Sequence, residues 1–200
     1  MVRKVSIGVL GIQGAISEHI TSMEATLKVT STPGKVFIVN HKEKMNDIDA
    51  LIIPGGESTT ISRILHQSDL YNITSKRIKE TNLPIMGTCA GCVILSKELR
   101  DDAKDVKLLK AMDMQVERNA FGRQKESFEK PIDIKGFSSP YTAIFIRAPI
   151  INKTWGKCEV LAKIDKKKIV MARQDNVLAV SFHPELTSDL RIHKYFLDMI

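Results

Sequence analysis

Apolar and polar positions along this chain switch repeatedly between two periods. Val5 to Leu10 is an unbroken apolar run, the pattern of a strand buried on both faces of a parallel sheet. Gly11-Ile12-Gln13-Gly14 then reads as a turn, after which Ile16, Ile20, Met23 and Leu27 recur at helical spacing. Val36 to Val39 is a second expected strand, and Ala50 to Ile53 a third, closed by Pro54-Gly55-Gly56. A helix is expected from Ser58 through Leu65, with Leu70 to Glu80 continuing the same layer. Pro84-Ile85-Met86 reads as a short buried strand. Ala90 to Leu99 follows as a helix with Val93, Ile94 and Leu95 as its apolar stripe. The middle, Arg100 to Lys135, is more polar and irregular, with Met112 to Val116 as one strand. Tyr141 to Arg147, Cys158 to Ile164, Ile169 to Arg173 and Val177 to Phe182 read as strands joined by tight turns. An amphipathic helix with Leu190, Tyr195, Phe196 and Ile200 comes last. Strands alternating with helices predict a three-layer α/β domain, its sheet mixed but mostly parallel, with the antiparallel strands late in the chain. No repeat, linker or low-complexity stretch interrupts it, so residues 1–200 are expected to form a single domain.

Composition narrows the class without changing that picture. The chain is 43% hydrophobic and 26% charged, the balance of a globular protein and not of a disordered one. No apolar run approaches the roughly 18 residues of a membrane span. The first residues enter a strand directly, with no signal-peptide core, and three cysteines are too few for a disulfide framework. A cytoplasmic location is the expectation. The net charge is +7, but lysines are scattered among acids. The basic run Lys166-Lys167-Lys168 sits at an expected hairpin turn without interleaved aromatics, so a solvated face is expected there and no nucleic-acid partner.

Candidate chemistry begins at Gly87-Thr88-Cys89-Ala90-Gly91. A strand that turns sharply into a helix with a nucleophile at the corner is a nucleophile elbow, and flanking glycines permit a tight backbone. A cysteine at that corner feels the helix N-terminus, which favours the thiolate, and the Ala90 amide points toward the same spot to hold an oxyanion. A free cysteine is otherwise a small buried apolar residue; the strand-helix context favours the nucleophile. His183-Pro184-Glu185 closes another expected strand. Side chains two apart on an extended chain point the same way, so His183 can face the elbow with Glu185 orienting the imidazole. Cys89, His183 and Glu185 then supply nucleophile, base and orienting acid. Pro54 to Thr59 offers glycine amides at a helix start, equally an anion site or an ordinary strand-to-helix turn with a capping Ser or Thr. Arg118 and Arg147 are fork-shaped cations that suit a carboxylate, although surface arginines need no such explanation. Cys89-Ala90-Gly91-Cys92 also spells a C-x-x-C redox pair, which accounts for none of the other motifs. No second Cys or His pair lies at zinc-ligand spacing, and no metal is expected.

Together, Pro54 to Thr59, Gly87 to Gly91 and His183 to Glu185 resemble the class I glutamine amidotransferases. Within that class, Gly8 to Gly14, Val116 to Gln124 and Phe145 to Pro149 resemble the glutaminase subunits of pyridoxal 5'-phosphate synthases, and the similarity spans nearly the whole chain. The resemblance implies a flavodoxin-like glutaminase domain that hydrolyses L-glutamine, with Cys89, His183 and Glu185 as its triad and no cofactor. It implies glutamine binding by Gly56, Glu57, Ser58, Arg118, Ile146 and Arg147, and an oxyanion hole from the amides of Gly56 and Ala90. The implied partner is a (β/α)8-barrel synthase subunit, in a large hetero-oligomer, that takes the ammonia. Two departures stand out: Cys92 occupies a position that is usually aliphatic, and Thr30 to Phe37 is a slightly lengthened connection. An isolated chain is expected to be a poor glutaminase, switched on by a partner pressing on the exposed Gly11 to Gly14 turn.

Overall fold

A computed structural model describes residues 4–101, 105–118, 120 and 127–200. The chain runs β1 (Val5–Leu10), α1 (Ile16–Val29), β2 (Gly34–Val39), α2 (Lys42–Asn46), β3 (Ala50–Ile53), α3 (Ser58–Gln67), α4 (Leu70–Thr81) and β4 (Ile85–Thr88). It continues through α5 (Ala90–Leu95), β5 (Ser96–Leu99), β6 (Met112–Glu117), β7 (Ser127–Ile132), β8 (Tyr141–Ile146) and β9 (Ile150–Thr154). β10 (Glu159–Lys163), β11 (Ile169–Gln174), β12 (Val177–Val180), a 3-10 turn at Pro184–Leu186 and α6 (Arg191–Leu197) complete it.

Ten strands form the main sheet in the order β2-β1-β3-β4-β12-β11-β9-β6-β5, with β10 on β11. β2, β1, β3, β4 and β12 are all parallel, in the strand order of a flavodoxin-like fold, and that order switches sides between β1 and β3. β11, β9 and β10 pair antiparallel, as expected of the late strands, while β5 and β6 are parallel.

The period of two along each buried strand sorts its side chains onto the two faces. Leu51, Ile53, Ile85, Val177 and Ala179 face one core, built with α2 to α5. Ala50, Ile52, Met86, Leu178 and Val180 face the other, covered by α1, α6 and the β7-β8 hairpin. Both faces are covered, so these strands carry no polar alternation. The turn between β10 and β11 is tied by Asp165, whose Oδ1 accepts from the amides of Lys167 and Lys168 at 2.9 Å each.

The expected helix from Ala90 to Leu99 is corrected. It stops at Leu95, because Ser96 turns to an extended backbone and its Oγ returns a hydrogen bond to Val93 O at 2.8 Å. Ser96 to Leu99 then pairs with β6, Ser96 opposite Met112 and Leu99 opposite Val116. α2, β7 and β9 lie where no regular element was expected. Among the described residues, no helix is long and apolar enough to cross a membrane.

Candidate active site

β4 and β12 are neighbours, Thr88 opposite Val180, so the segments leaving their carboxyl ends emerge side by side. Cys89 leaves β4 with φ 48° and ψ −103°, a strained conformation for a side-chain-bearing residue, held by its amide on Val180 O at 2.8 Å. The glycines beside it have a different duty from the one expected. Neither Gly87 nor Gly91 is among the residues with positive φ. A Cβ on Gly87 would stand 2.6 Å from the Gly91 backbone, and one on Gly91 would collide with Ile53 O. Cys89 carries the strain, and the glycines let α5 lie against the sheet.

His183 is anchored by its amide to Ile144 O at 2.8 Å. The extended His-Pro-Glu expected from sequence is instead a bend: Pro184 opens the 3-10 turn, and Glu185 curls back so that its Oε1 meets His183 Nδ1 at 2.7 Å. Both side chains are buried. Burial works against a charge on the imidazole, yet hydrogen bonding to Cys89 and Glu185 pushes His183 up to about 10. Burial likewise favours a neutral Glu185, but the hydrogen bond from His183 holds its carboxyl below the usual range. Cys92 is fully buried and burial drives its thiol far up, while burial lifts Cys158 to about 11. The same thiol pattern leaves Cys92 poorly suited to redox exchange.

The other expected residues gather around a cleft of about 290 Å³ lined by Gly56, Glu57, Ser58, Cys89, Ala90, Val93, Arg118, Ile146, Arg147, Pro149 and His183. Glu185 stands behind its rim. Capping of α3 falls to Glu57 and not to Ser or Thr: its carboxylate accepts from the amides of Thr59 at 3.0 Å and Thr60 at 2.6 Å. Although partial burial opposes it, those bonds depress the Glu57 carboxyl to about 2. Arg118 donates from Nε to Asp101 at 2.8 Å and reaches Thr59 Oγ1 at 3.4 Å. Arg147 follows β8 with φ 42°. Asn119 and Phe121 to Gln124 of the expected Val116 to Gln124 motif lie outside the described residues. A roomier cleft of about 500 Å³ at the far end of β1, between α1 and α6, contains neither cysteine nor histidine.

The family model of SNO glutamine amidotransferases matches residues 9–200. The chain belongs to the SNO glutamine amidotransferase family. It is 46% identical over 196 residues to the pyridoxal 5'-phosphate synthase subunit PdxT of Methanococcoides burtonii, covering 97% of this chain and 98% of that one. Against the subunit PdxT of Pyrococcus furiosus it is 45% identical over 197 residues, covering 98% and 99%. A solved glutamine amidotransferase superposes with a TM-score of 0.86 at 40% identity, over 96% of this chain and 97% of that one. A glutamine amidotransferase from Thermotoga maritima has the same fold, with a TM-score of 0.64 at 11% identity over 98% of this chain and 84% of that one.

In this member of the SNO family, the cleft region also holds residues that sequence reading passed over. Val93 read as core, and Pro149 entered only as the end of the Phe145 to Pro149 motif. Gln13 accepts the Glu57 amide at 3.1 Å, which ties the turn after β1 to the loop after β3. A Cβ on Gly14, which has φ 103°, would overlap Gly55 O, so the two turns touch through backbone. Gly11, Ile12 and Gln13 are half-buried and Gly14 alone is exposed, where the whole turn was expected to be. His19, Thr88 and His193 form a buried polar group behind Glu185; the position of His19 on the apolar stripe of α1 signals its burial but not its partners.

Proposed function

We propose that the chain is the glutaminase subunit of a pyridoxal 5'-phosphate synthase, hydrolysing L-glutamine to L-glutamate and ammonia. The observation that carries this reading is Cys89 at its strained corner, electrostatically coupled to a His183 whose far nitrogen is bonded to Glu185. The Cys89 sulfur attacks the side-chain amide carbon of glutamine, and the amides of Gly56 and Ala90 stabilise the oxyanion by about 3 kcal/mol per donor. His183 hands a proton to the departing nitrogen, and ammonia leaves as the carbon–nitrogen bond breaks. Water, losing a proton to His183, then opens the thioester to release glutamate and restore the thiol. Glu185 keeps the imidazole in the tautomer and orientation this exchange needs. Gly56, Glu57, Ser58, Ile146 and the guanidinium groups of Arg118 and Arg147 receive the amino-acid end of the substrate.

The partner is a (β/α)8-barrel synthase subunit that consumes the ammonia, in a hetero-oligomer working in the cytoplasm. Unpaired cysteines at 89, 92 and 158 suit such a reducing compartment. The contact of Gly14 with Gly55 supports coupling, since a partner pressing on the first turn bears directly on the Gly55-Gly56 backbone. The test is glutamate release by the purified chain, with and without the barrel subunit. Low turnover alone and a large rise with the partner are expected. Cys89→Ser removes turnover while leaving the fold intact, and an alkylating glutamine analogue labels Cys89 and neither Cys92 nor Cys158. Full activity in the Ser variant would overturn the mechanism, and high activity alone, unchanged by the barrel subunit, would overturn the coupling.

A further inference from the structure

Behind Glu185, away from the cleft, two histidines are fully buried and the reaction just described gives them nothing to do. His19 comes from α1 and His193 from α6, helices on the same face of the sheet. His19 Nδ1 lies 3.2 Å from His193 Nε2, and His19 Nε2 lies 3.0 Å from Thr88 Oγ1. The same Nε2 faces Glu185 Oε2 at 3.4 Å. That oxygen has no hydrogen-bond partner among the described residues, while its twin holds His183. α1 braces the turn a second time, through Ser22 Oγ on the Glu185 carbonyl at 3.5 Å.

Protons can be assigned along this row. Burial lowers His19, and burial with the neighbouring His19 lowers His193 to about 3, so both rings are neutral and each has one donor and one acceptor. A hydrogen on His19 Nε2 sits between Thr88 Oγ1 at 3.0 Å and Glu185 Oε2 at 3.4 Å, both able to accept, whereas a lone pair there would face the lone pairs of the carboxylate. His19 Nδ1 is then the acceptor, and His193 must donate from Nε2. This leaves His193 Nδ1 as a bare lone pair, and Nδ1 is the nitrogen without a partner among the described residues. The opposite assignment would bury an N–H there, the costlier omission. The row has one direction: His193 donates to His19, the His19 Nε2–H faces Thr88 Oγ1 and Glu185 Oε2, and His183 donates to Glu185 from the other side.

We propose that His19, steadied by His193 and Thr88, is a positioning residue for the glutaminase reaction: its Nε2–H, bonded to Thr88 Oγ1, is set 3.4 Å from Glu185 Oε2 as a second, electrostatic restraint, so that Oε1 stays on His183 Nδ1. The inference rests on the functional reading above. A carboxylate on a single 3-10 turn, held through one oxygen only, is free to turn about its broad terminal torsion. Turning would release the imidazole that must present its other nitrogen to Cys89. Neutrality matters as much as contact. A cation at His19 would draw the Glu185 charge away from the imidazolium that forms during turnover.

Two substitutions separate contact from packing. His19→Leu keeps the apolar bulk and removes the donor, whereas the amide nitrogen of His19→Gln can stand where Nε2 stands. Assayed in the assembled complex with the barrel subunit, Leu is expected to lower kcat by about 10- to 100-fold with little change in KM, the scale for partners that orient a reactive group. Gln is expected to recover most of that loss. Equal losses in both variants, or a wild-type kcat in Leu, would overturn the proposal. Ring-nitrogen NMR of the histidine-labelled wild-type chain reads the tautomers without turnover, and covers the case in which the variants do not fold. Neutral Nε2–H forms at both His19 and His193 support it; a Nδ1–H form or a charged ring at His19 overturns it. Absence of glutamate release from the wild-type complex would sink the functional reading, and the tautomers would still judge the row.

Discussion

Gly55 offers a sharp test of how tightly the reactive groups are set. It closes the strand β3 on the side of Cys89 and His183. A methyl group at this position would stand 2.6 Å from His183 Cε1, 3.2 Å from its Nδ1 and 3.1 Å from Cys89 Cβ. Carbon atoms in contact settle at about 3.5–4.0 Å, so the ring must retreat by roughly 1 Å. It has little freedom to do so, with Nδ1 bonded to Glu185 at 2.7 Å and the backbone amide tied at 2.8 Å. Gly55 is not among the residues with positive φ, so alanine strains no backbone torsion, and the whole effect falls on the site. A displacement of about 1 Å at a reacting group costs on the order of 100-fold in rate. That corresponds to about 2.7 kcal/mol of barrier. Crowding of this kind removes about 1–3 kcal/mol of stability, which leaves a folded protein. Gly55→Ala should therefore lose about 100-fold in kcat with the barrel subunit present, and alkylate more slowly at Cys89, while still melting cooperatively. Wild-type kcat in a folded Gly55→Ala protein would show that His183 works from some other position, and the geometry argued here for the triad would fall.

Cys92→Ala should keep most glutaminase activity and lose about 1 kcal/mol of stability, as a small buried group does, measured by turnover and chemical unfolding; loss of turnover would draw Cys92 into the chemistry. Arg118→Ala should raise KM for glutamine at least tenfold, since hydrogen bonds to charged groups are worth about 1.5–3 kcal/mol. Its melting temperature should hardly move, because the pair with Asp101 is partly exposed. An unchanged KM would return Arg118 to the solvent surface. The Glu57 carboxyl is depressed to about 2 from an ordinary 4.5. Its capping contribution is therefore complete above pH 4.5 and is lost as the pH falls toward 2. Melting curves of wild type and Glu57→Gln should differ at neutral pH and converge at the acid end; a constant gap would refute the cap.

Much of this architecture could be read from the chain. The buried strands β1, β3, β4 and β12 were legible because each is an apolar run closed by glycine, proline or a polar turn, and the corner at Cys89 because a cysteine between two glycines follows such a run. Ser96 to Leu99 misled because Ser, Lys, Glu and Leu tolerate a helix locally, while the pairing with β6 that overrides this preference lies beyond any local window. β9 was hidden by Asn152 and Lys153, and β7 by Pro131 and its alternating charges; both gain their order from partners. The glycines at 87 and 91 pointed to the right place for an incomplete reason, since a close approach and a permissive torsion leave the same letter. His19 left no trace of its role. It lies three residues after Ile16 and four before Met23, on the buried stripe of α1, but the partners that give it a role come from α6 and the Pro184 turn, beyond any local window.

The insertion of β12 between β4 and β11 also bears on how the protein comes into being. Synthesis delivers β4 and Cys89 long before Val177 to Val180, so an emerging chain carries β4 with one open edge of unpaired amides and carbonyls. The peptide that pins Cys89 does not yet exist, nor does its base. On the function proposed above, the cysteine gains its base and its backbone anchor only as the last strand slots home, in the same event that seals the sheet. A chain that ends before Val177 therefore has both an open edge on β4 and an incomplete candidate site.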